Sequence, residues 1–144
     1  MALTEKEKTL CDVAACTARG DLQGLEGAYA RAYGSGWTTR ELKDAATQLY
    51  AYCGFPKALN SLGVLYKLAP EAERGAATEN PSRPDGDSLA RGTANQTKLC
   101  GHEVAGPFFD WCPAISDYLR AHLFGDIFGR DVLDWRTREI ATVA

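Results

Sequence analysis

Apolar residues recur along the first half of the chain at steps of three and four, the spacing that turns one side of an α-helix toward a core. Leu42, Ala45, Ala46, Leu49, Tyr50 and Cys53 keep that rhythm, and strand alternation fits them poorly. Thr38 opens the series as a capping residue, and Glu41 three residues on completes a capping box, so a helix start is predicted there. Gly54 supplies the backbone freedom of a C-cap, and Pro56 suits the first turn of a new helix. In that helix Leu59, Leu62, Gly63 and Tyr66 carry the predicted inward stripe, Gly63 permits close helix approach, and Pro70 ends it.

The same reading extends outward from this corner. Thr4 to Glu7 forms another capping box ahead of Leu10, Val13, Ala14 and Thr17, with Gly20 as a stop. Asp21 caps a second helix with Leu22, Leu25, Ala28, Tyr29 and Ala32 on one side, and Trp37 is predicted to staple the central helix. Four helices are thus expected in residues 4 to 69. Asn80 to Asp87 reads as a turn-rich, mobile linker, and Ser88 to Leu99 as a modest helix weakened by Gly92. Residues 101 to 111 read as a loop whose Phe108, Phe109 and Trp111 pack on the helical unit. Pro113 opens a helix through Ile115, Tyr118, Leu119, His122, Leu123 and Ile127, and Asp134 caps a final one. The expected organisation is a helical unit over 1–70, a linker and loop segment over 71–112, and a helix plus the start of a second, incomplete unit over 113–144. Leu3 to Ala14 set beside Leu133 to Ala144 supports the last point, matching leucine, cap, charges and apolar run.

Composition narrows the classes. With 45% apolar and 24% charged residues, 144 residues suit a globular chain. A net charge of −3 without a long basic block excludes an electrostatic footprint for nucleic acid. No run approaches the ~20 apolar residues of a membrane span, so no membrane partner is expected and a cytoplasmic place is. Cys11, Cys16, Cys53, Cys100 and Cys112 are odd in number and form no Cys-x-x-Cys, which reads as buried free thiols rather than a disulfide framework.

The run Gln48-Leu49-Tyr50-Ala51-Tyr52-Cys53-Gly54-Phe55-Pro56-Lys57-Ala58-Leu59-Asn60 resembles the second half of the carboxymuconolactone decarboxylase-like domain, related to alkylhydroperoxidase D. His122 to Glu139 resembles the entry into a second domain in tandem members of that family. The resemblance implies an all-α helical bundle of this type, usually a homo-oligomer. The alkylhydroperoxidase D branch uses a Cys-x-x-Cys at a helix start, a downstream histidine and an upstream relay glutamate. Position by position, this chain offers Thr9 for the glutamate, Asp21 and Gly24 for the cysteines, and Ala28 or Tyr29 for the histidine. Cys11 and Cys16 do not replace them, since five residues on a helix point about 140° apart. A thiol peroxidase, the antioxidant reading, is therefore disfavoured.

The decarboxylase branch uses no metal or organic cofactor and relies on protein acids and bases, so none is expected here. His122 and Asp126 stand at i and i+4 and can form an imidazole–carboxylate pair, or His122 can simply pack on the core with Asp126 holding it. Glu139 stands at the relay position of the second unit, as a proton carrier or a solvent-facing charge beside Arg136 and Arg138. Tyr50, Tyr52, Cys53 and Phe55 line a small apolar pocket at the corner or belong to the core. Cys100, His102 and Cys112 are spaced too irregularly for a zinc site. The leading expectation is a cofactor-independent decarboxylase or lactone-acting enzyme on a small carboxylic acid. The alternative is a non-catalytic oligomeric scaffold half of a tandem protein.

Overall fold

The computed structural model describes residues 2–74 and 83–144, and among these the regular structure is helical, without strands. In chain order the elements are α1 Glu5–Arg19, α2 Leu22–Gly34, α3 Thr39–Cys53, α4 Phe55–Leu68, α5 Glu71–Arg74, α6 Ser88–Cys100, α7 Pro107–Trp111 and α8 Pro113–Tyr118. A π-helical segment, Leu119–Ile127, continues α8, and α9 covers Trp135–Val143. Asn80, Pro81 and Ser82 of the expected mobile linker lie outside the described residues. The chain divides into two compact units, Met1–Glu79 with Val132–Ala144, and Asn80–Asp131. Val132–Ala144 thus falls with the first unit, and residues 113–131 fall with α6 and α7.

In the first unit the local signals act as expected. Thr4 and Glu7 close a reciprocal cap on α1, with Thr4 N–H donating to Glu7 Oε2 at 2.7 Å and Glu7 N–H to Thr4 Oγ1 at 3.2 Å. Thr38 and Glu41 repeat the device on α3. Gly20 takes φ of 72° and Gly54 φ of 85°, values that suit glycine. Leu10, Val13, Leu25, Tyr29, Leu42 and Leu65 are at most 1% exposed and form the core with Leu133. Each such leucine contributes about 1.5–3 kcal/mol by burial. Trp37 joins that core and donates its indole N–H to the Lys6 carbonyl at 2.8 Å.

The stripe expected to face inward on α4 faces outward instead. Ala58, Ser61, Val64 and Leu65 are the buried positions, while Leu59, Gly63 and Tyr66 are exposed and Leu62 is half-buried. The reason is polar as well as steric. Ser61 Oγ lies 2.6 Å from Tyr29 Oη and 2.8 Å from Thr17 Oγ1, so a buried hydroxyl group ties α1, α2 and α4 together. A count of large apolar side chains does not register such a contact.

The second unit is built on α6 and the π-helical segment. Asp87 caps α6 by accepting from Leu89 N–H at 2.9 Å and Ala90 N–H at 3.2 Å. A Cβ on Gly92 would lie 1.7 Å from the Arg120 carbonyl oxygen, and one on Gly125 would lie 2.1 Å from that of Ser88. Gly92, expected to weaken the helix, is therefore the residue that lets it dock. The single helix expected after Pro113 changes character at Leu119, and Phe128 N–H reaches back five residues to Leu123 O at 2.9 Å. Residues 107–111, read as loop, form the short α7. Phe108 and Trp111 do not pack as expected: they are 62% and 81% exposed. Helices of five and six residues separated at Cys112 present no continuous inward stripe, and the buried residue of α8 is Ser116.

Candidate functional site

Asp126, 3% exposed, stands on the π-helical segment and collects donors from three directions. Ser88 Oγ at the start of α6 donates to Oδ1 at 2.5 Å, and His122 Nδ1 lies 2.9 Å from Oδ2. The Arg83 guanidinium pairs with Oδ2 at 2.8 Å, and Arg91 Nη2 stands 3.7 Å from Oδ1. Arg91 is itself positioned by the carbonyls of Gly125 and Asp85, both at 2.7 Å. Burial alone would raise the Asp126 carboxyl, but hydrogen bonds from Ser88, His122 and Arg83 outweigh it and hold it below the usual carboxylate range. An ionised carboxylate only accepts, so Nδ1 of His122 is the donor and Nε2 is the ring nitrogen for proton exchange. The His122 side chain is 50% exposed while the carboxylate behind it is 4% exposed. A solvent-facing imidazole oriented by a buried anion, with Arg83 beside it at 66% exposure, can move a proton and attract a carboxylate.

Tyr50, Tyr52, Cys53, Phe55 and Glu139, the other residues singled out as pocket-lining or proton-carrying, belong to the first unit. Tyr50 and Phe55 stack on each other, with ring centroids 4.3 Å apart and planes at 13°. Cys53 Sγ contacts the Leu49 carbonyl at 3.1 Å. Tyr52 is 43% exposed. Burial raises its phenol, against a hydrogen bond with Thr142, and Glu139 raises it further. Glu139 thus stands near Tyr52, and it lines a groove of about 350 Å³ with Leu3, Cys11, Arg136, Ile140 and Val143. Burial and the neighbouring Asp12 raise the Cys11 thiol, which keeps it protonated. Cys100 and His102 are exposed, and His102 Nδ1 lies 3.0 Å from the Cys100 carbonyl oxygen. Among the described residues no group of three or more His, Cys, Asp or Glu side chains converges as a metal site would require.

Among the described residues the most deeply buried charged group is Arg138, which reads in the sequence only as a neighbour of Glu139. Arg138 is fully buried and donates from Nη2 to Asp44 at 2.6 Å and from Nη1 to Gln48 at 3.0 Å. Gln48 returns its amide to the Arg138 carbonyl at 2.8 Å and to Thr142 at 3.0 Å. The available signal was Asp44 and Gln48 at i,i+4 beside the core positions of α3.

The positions that would carry dithiol chemistry are occupied by capping groups. Asp21 Oδ1 accepts from Gly24 N–H at 2.8 Å to start α2, and a Cβ on Gly24 would press on that carboxylate at 2.4 Å. Thr9 Oγ1 bonds the Lys6 carbonyl at 2.7 Å and contacts Ser35 Oγ at 2.8 Å. Ala28 and Tyr29 are fully buried. This helix start therefore holds neither thiol nor imidazole.

No curated protein matches the chain. Residues 1–67 match the carboxymuconolactone decarboxylase family, a span that holds α1 to α3 and nearly all of α4. Over that span the all-α amino-terminal unit is similar to the carboxymuconolactone decarboxylase family.

Proposed function

We propose that the protein is a cofactor-independent acid–base enzyme acting on a small carboxylic acid or lactone, with the His122–Asp126 pair as its proton-transfer group. The observation that carries this reading is the half-exposed imidazole held at 2.9 Å by a carboxylate that is itself buried and ionised. Asp126 fixes the ring and its tautomer. Nε2 gives or takes the proton as a carbon–carboxylate bond breaks or a lactone opens, and Arg83 offsets the negative charge of an acid substrate. Glu139, next to Tyr52, is a secondary proton carrier in this reading. The similarity of residues 1–67 to the carboxymuconolactone decarboxylase family supports the reaction class.

The test is carbon dioxide release or ring opening by the full chain on a panel of lactone acids. Replacement of His122 by Ala is expected to lower turnover by about 10²–10⁴-fold with an unchanged helical signal. Turnover that survives the substitution removes the reading.

A non-catalytic, self-associating helical scaffold is the second reading. It draws on the Asp21 cap and the Thr9–Ser35 contact, which fill the first unit's dithiol positions with structural groups. Under either reading we propose that the chain associates with copies of itself and works in the cytoplasm, where its five free cysteines would stay reduced. Among the described residues no helix is long and apolar enough to cross a membrane.

A further inference from the structure

A serine at the start of a helix ordinarily bonds to backbone nearby. Ser88, the first residue of α6, instead donates its hydroxyl across 38 positions to Asp126 Oδ1 at 2.5 Å. Its backbone is fixed for that contact: a Cβ on Gly125 would lie 2.1 Å from the Ser88 carbonyl oxygen, so α6 begins directly against the turn that carries Asp126.

The direction of the hydroxyl is set from the other side. Arg91, one turn further along α6, donates from Nη2 to Ser88 Oγ at 3.1 Å. Its other two nitrogens are committed as well, Nε to the Gly125 carbonyl and Nη1 to that of Asp85, both at 2.7 Å. A planar guanidinium held at all three nitrogens cannot swing without breaking several contacts at once. Because Ser88 Oγ accepts from this cation, its single proton is left to point at the carboxylate.

The two oxygens of Asp126 therefore differ in company. Oδ1 meets Ser88 and, at 3.7 Å, Arg91, both on α6. Oδ2 meets His122 at 2.9 Å and Arg83 at 2.8 Å, the two more exposed groups. We infer that Arg91 and Ser88 form a positioning relay for the proton-transfer pair, in which the guanidinium orients the hydroxyl, the hydroxyl fixes Oδ1, and Oδ2 is thereby kept on His122 Nδ1. Both residues act through Asp126 and leave the imidazole face open. They also keep the carboxylate bonded when Arg83 turns to the carboxylate of a substrate. Burial raises the Asp126 carboxyl, and the Ser88 hydrogen bond is the largest of the contacts that bring it below its usual range, as a donor to the charged form should be. Among neighbouring charged groups, Asp87 caps α6 and Arg120 donates to the Val104 carbonyl at 2.7 Å.

This inference rests on the acid–base reading of His122 and Asp126 and adds the groups that hold them, so two readouts are kept apart. The first needs no turnover: the titration of Asp126 in the full chain, followed by the NMR resonance of its side-chain carboxyl carbon. Ser88→Ala should move that titration to higher pH, and Ser88→Thr, which keeps the hydroxyl, should bring it back. Arg91→Lys cannot hold three contacts at once and should shift it in the same direction as Ser88→Ala. The double variant should go little further than either, since both lie on one path. Should Ser88→Ala unfold the second unit, Arg91→Lys carries the same comparison. The second readout is turnover on lactone acids, where Ser88→Ala is expected to lower kcat by about 10²-fold with KM nearly unchanged. A carboxyl titration that stays in place in Ser88→Ala, or that Ser88→Thr fails to restore, overturns the relay whatever the turnover. A shifted titration with unaltered kcat overturns its positioning role. A shifted titration in a chain that turns over none of the acids keeps the Arg91–Ser88–Asp126 contacts and removes the acid–base reading instead.

Discussion

The α-carbon of Gly92 lies so close to the Arg120 backbone that a Cβ there would fall 1.7 Å from the Arg120 carbonyl oxygen. The neighbour is backbone in the middle of a helical turn and cannot rotate away. Asn95 donates its side-chain amide to the Phe124 carbonyl at 2.8 Å on the same contact, which fixes α6 against the π-helical segment. Gly92→Ala is therefore expected to destabilise the second unit by about 3 kcal/mol or more, although alanine is the better helix former. Amide exchange along α6 is the measurement, with faster exchange expected there while α1 to α4 keep their protection.

The Arg138–Asp44 pair invites a contrast of two substitutions. Both side chains are at most 3% exposed, and the contact is 2.6 Å. Asp44→Ala leaves the guanidinium buried without its anion and should cost about 3–5 kcal/mol in urea unfolding. Replacing Asp44 and Arg138 together by apolar residues of similar volume is expected to recover most of that loss.

Tyr29 predicts an alkaline weakness. Its phenol is fully buried, and burial lifts the pKa from 10.0 to about 12 against a hydrogen bond with Ser61. The unfolded chain releases this proton first as pH rises. The contribution, about 2–3 kcal/mol, is thus present below pH 10 and drains away as pH climbs through the folded value. Tyr29→Phe should lower stability at neutral pH by about 1 kcal/mol while flattening the decline above pH 10. Urea midpoints from pH 8 upward test both statements.

Asp126 predicts the opposite slope. Its carboxyl is held below the usual range, so its contribution is present above the unfolded value near 3.9 and is lost as pH falls through the folded one. Acid should loosen the second unit as the contacts from Ser88, Arg83 and His122 lose their anion. Asp126→Asn should already be loosened at neutral pH and lack the acid step. Resolved amide signals of Ser88 and Phe124 followed through the titration give the comparison.

Helix starts and stops were legible in the sequence because their causes are local. Thr4 with Glu7, Thr38 with Glu41, and Asp134 with Thr137 each act over three residues, and Gly20 and Gly54 need only their own backbone freedom. The His122–Asp126 contact was legible for the same reason, being one turn of helix. What surrounds that contact was not, since Ser88 reaches Asp126 from 38 positions away.

Tertiary structure alone decided which side of each helix meets the core. The spacing of Leu59, Leu62 and Tyr66 defines a stripe but not its occupant, and the smaller Ala58 and Ser61 won the interior because hydroxyls from α1 and α2 meet Ser61 there. The burial of Arg138 depends on Asp44, 94 positions earlier, and the need for Gly92 on a carbonyl of another helix. Periodicity measures how apolar a face is. Close packing and buried charge depend on which atoms arrive opposite it, and those come from distant parts of the chain.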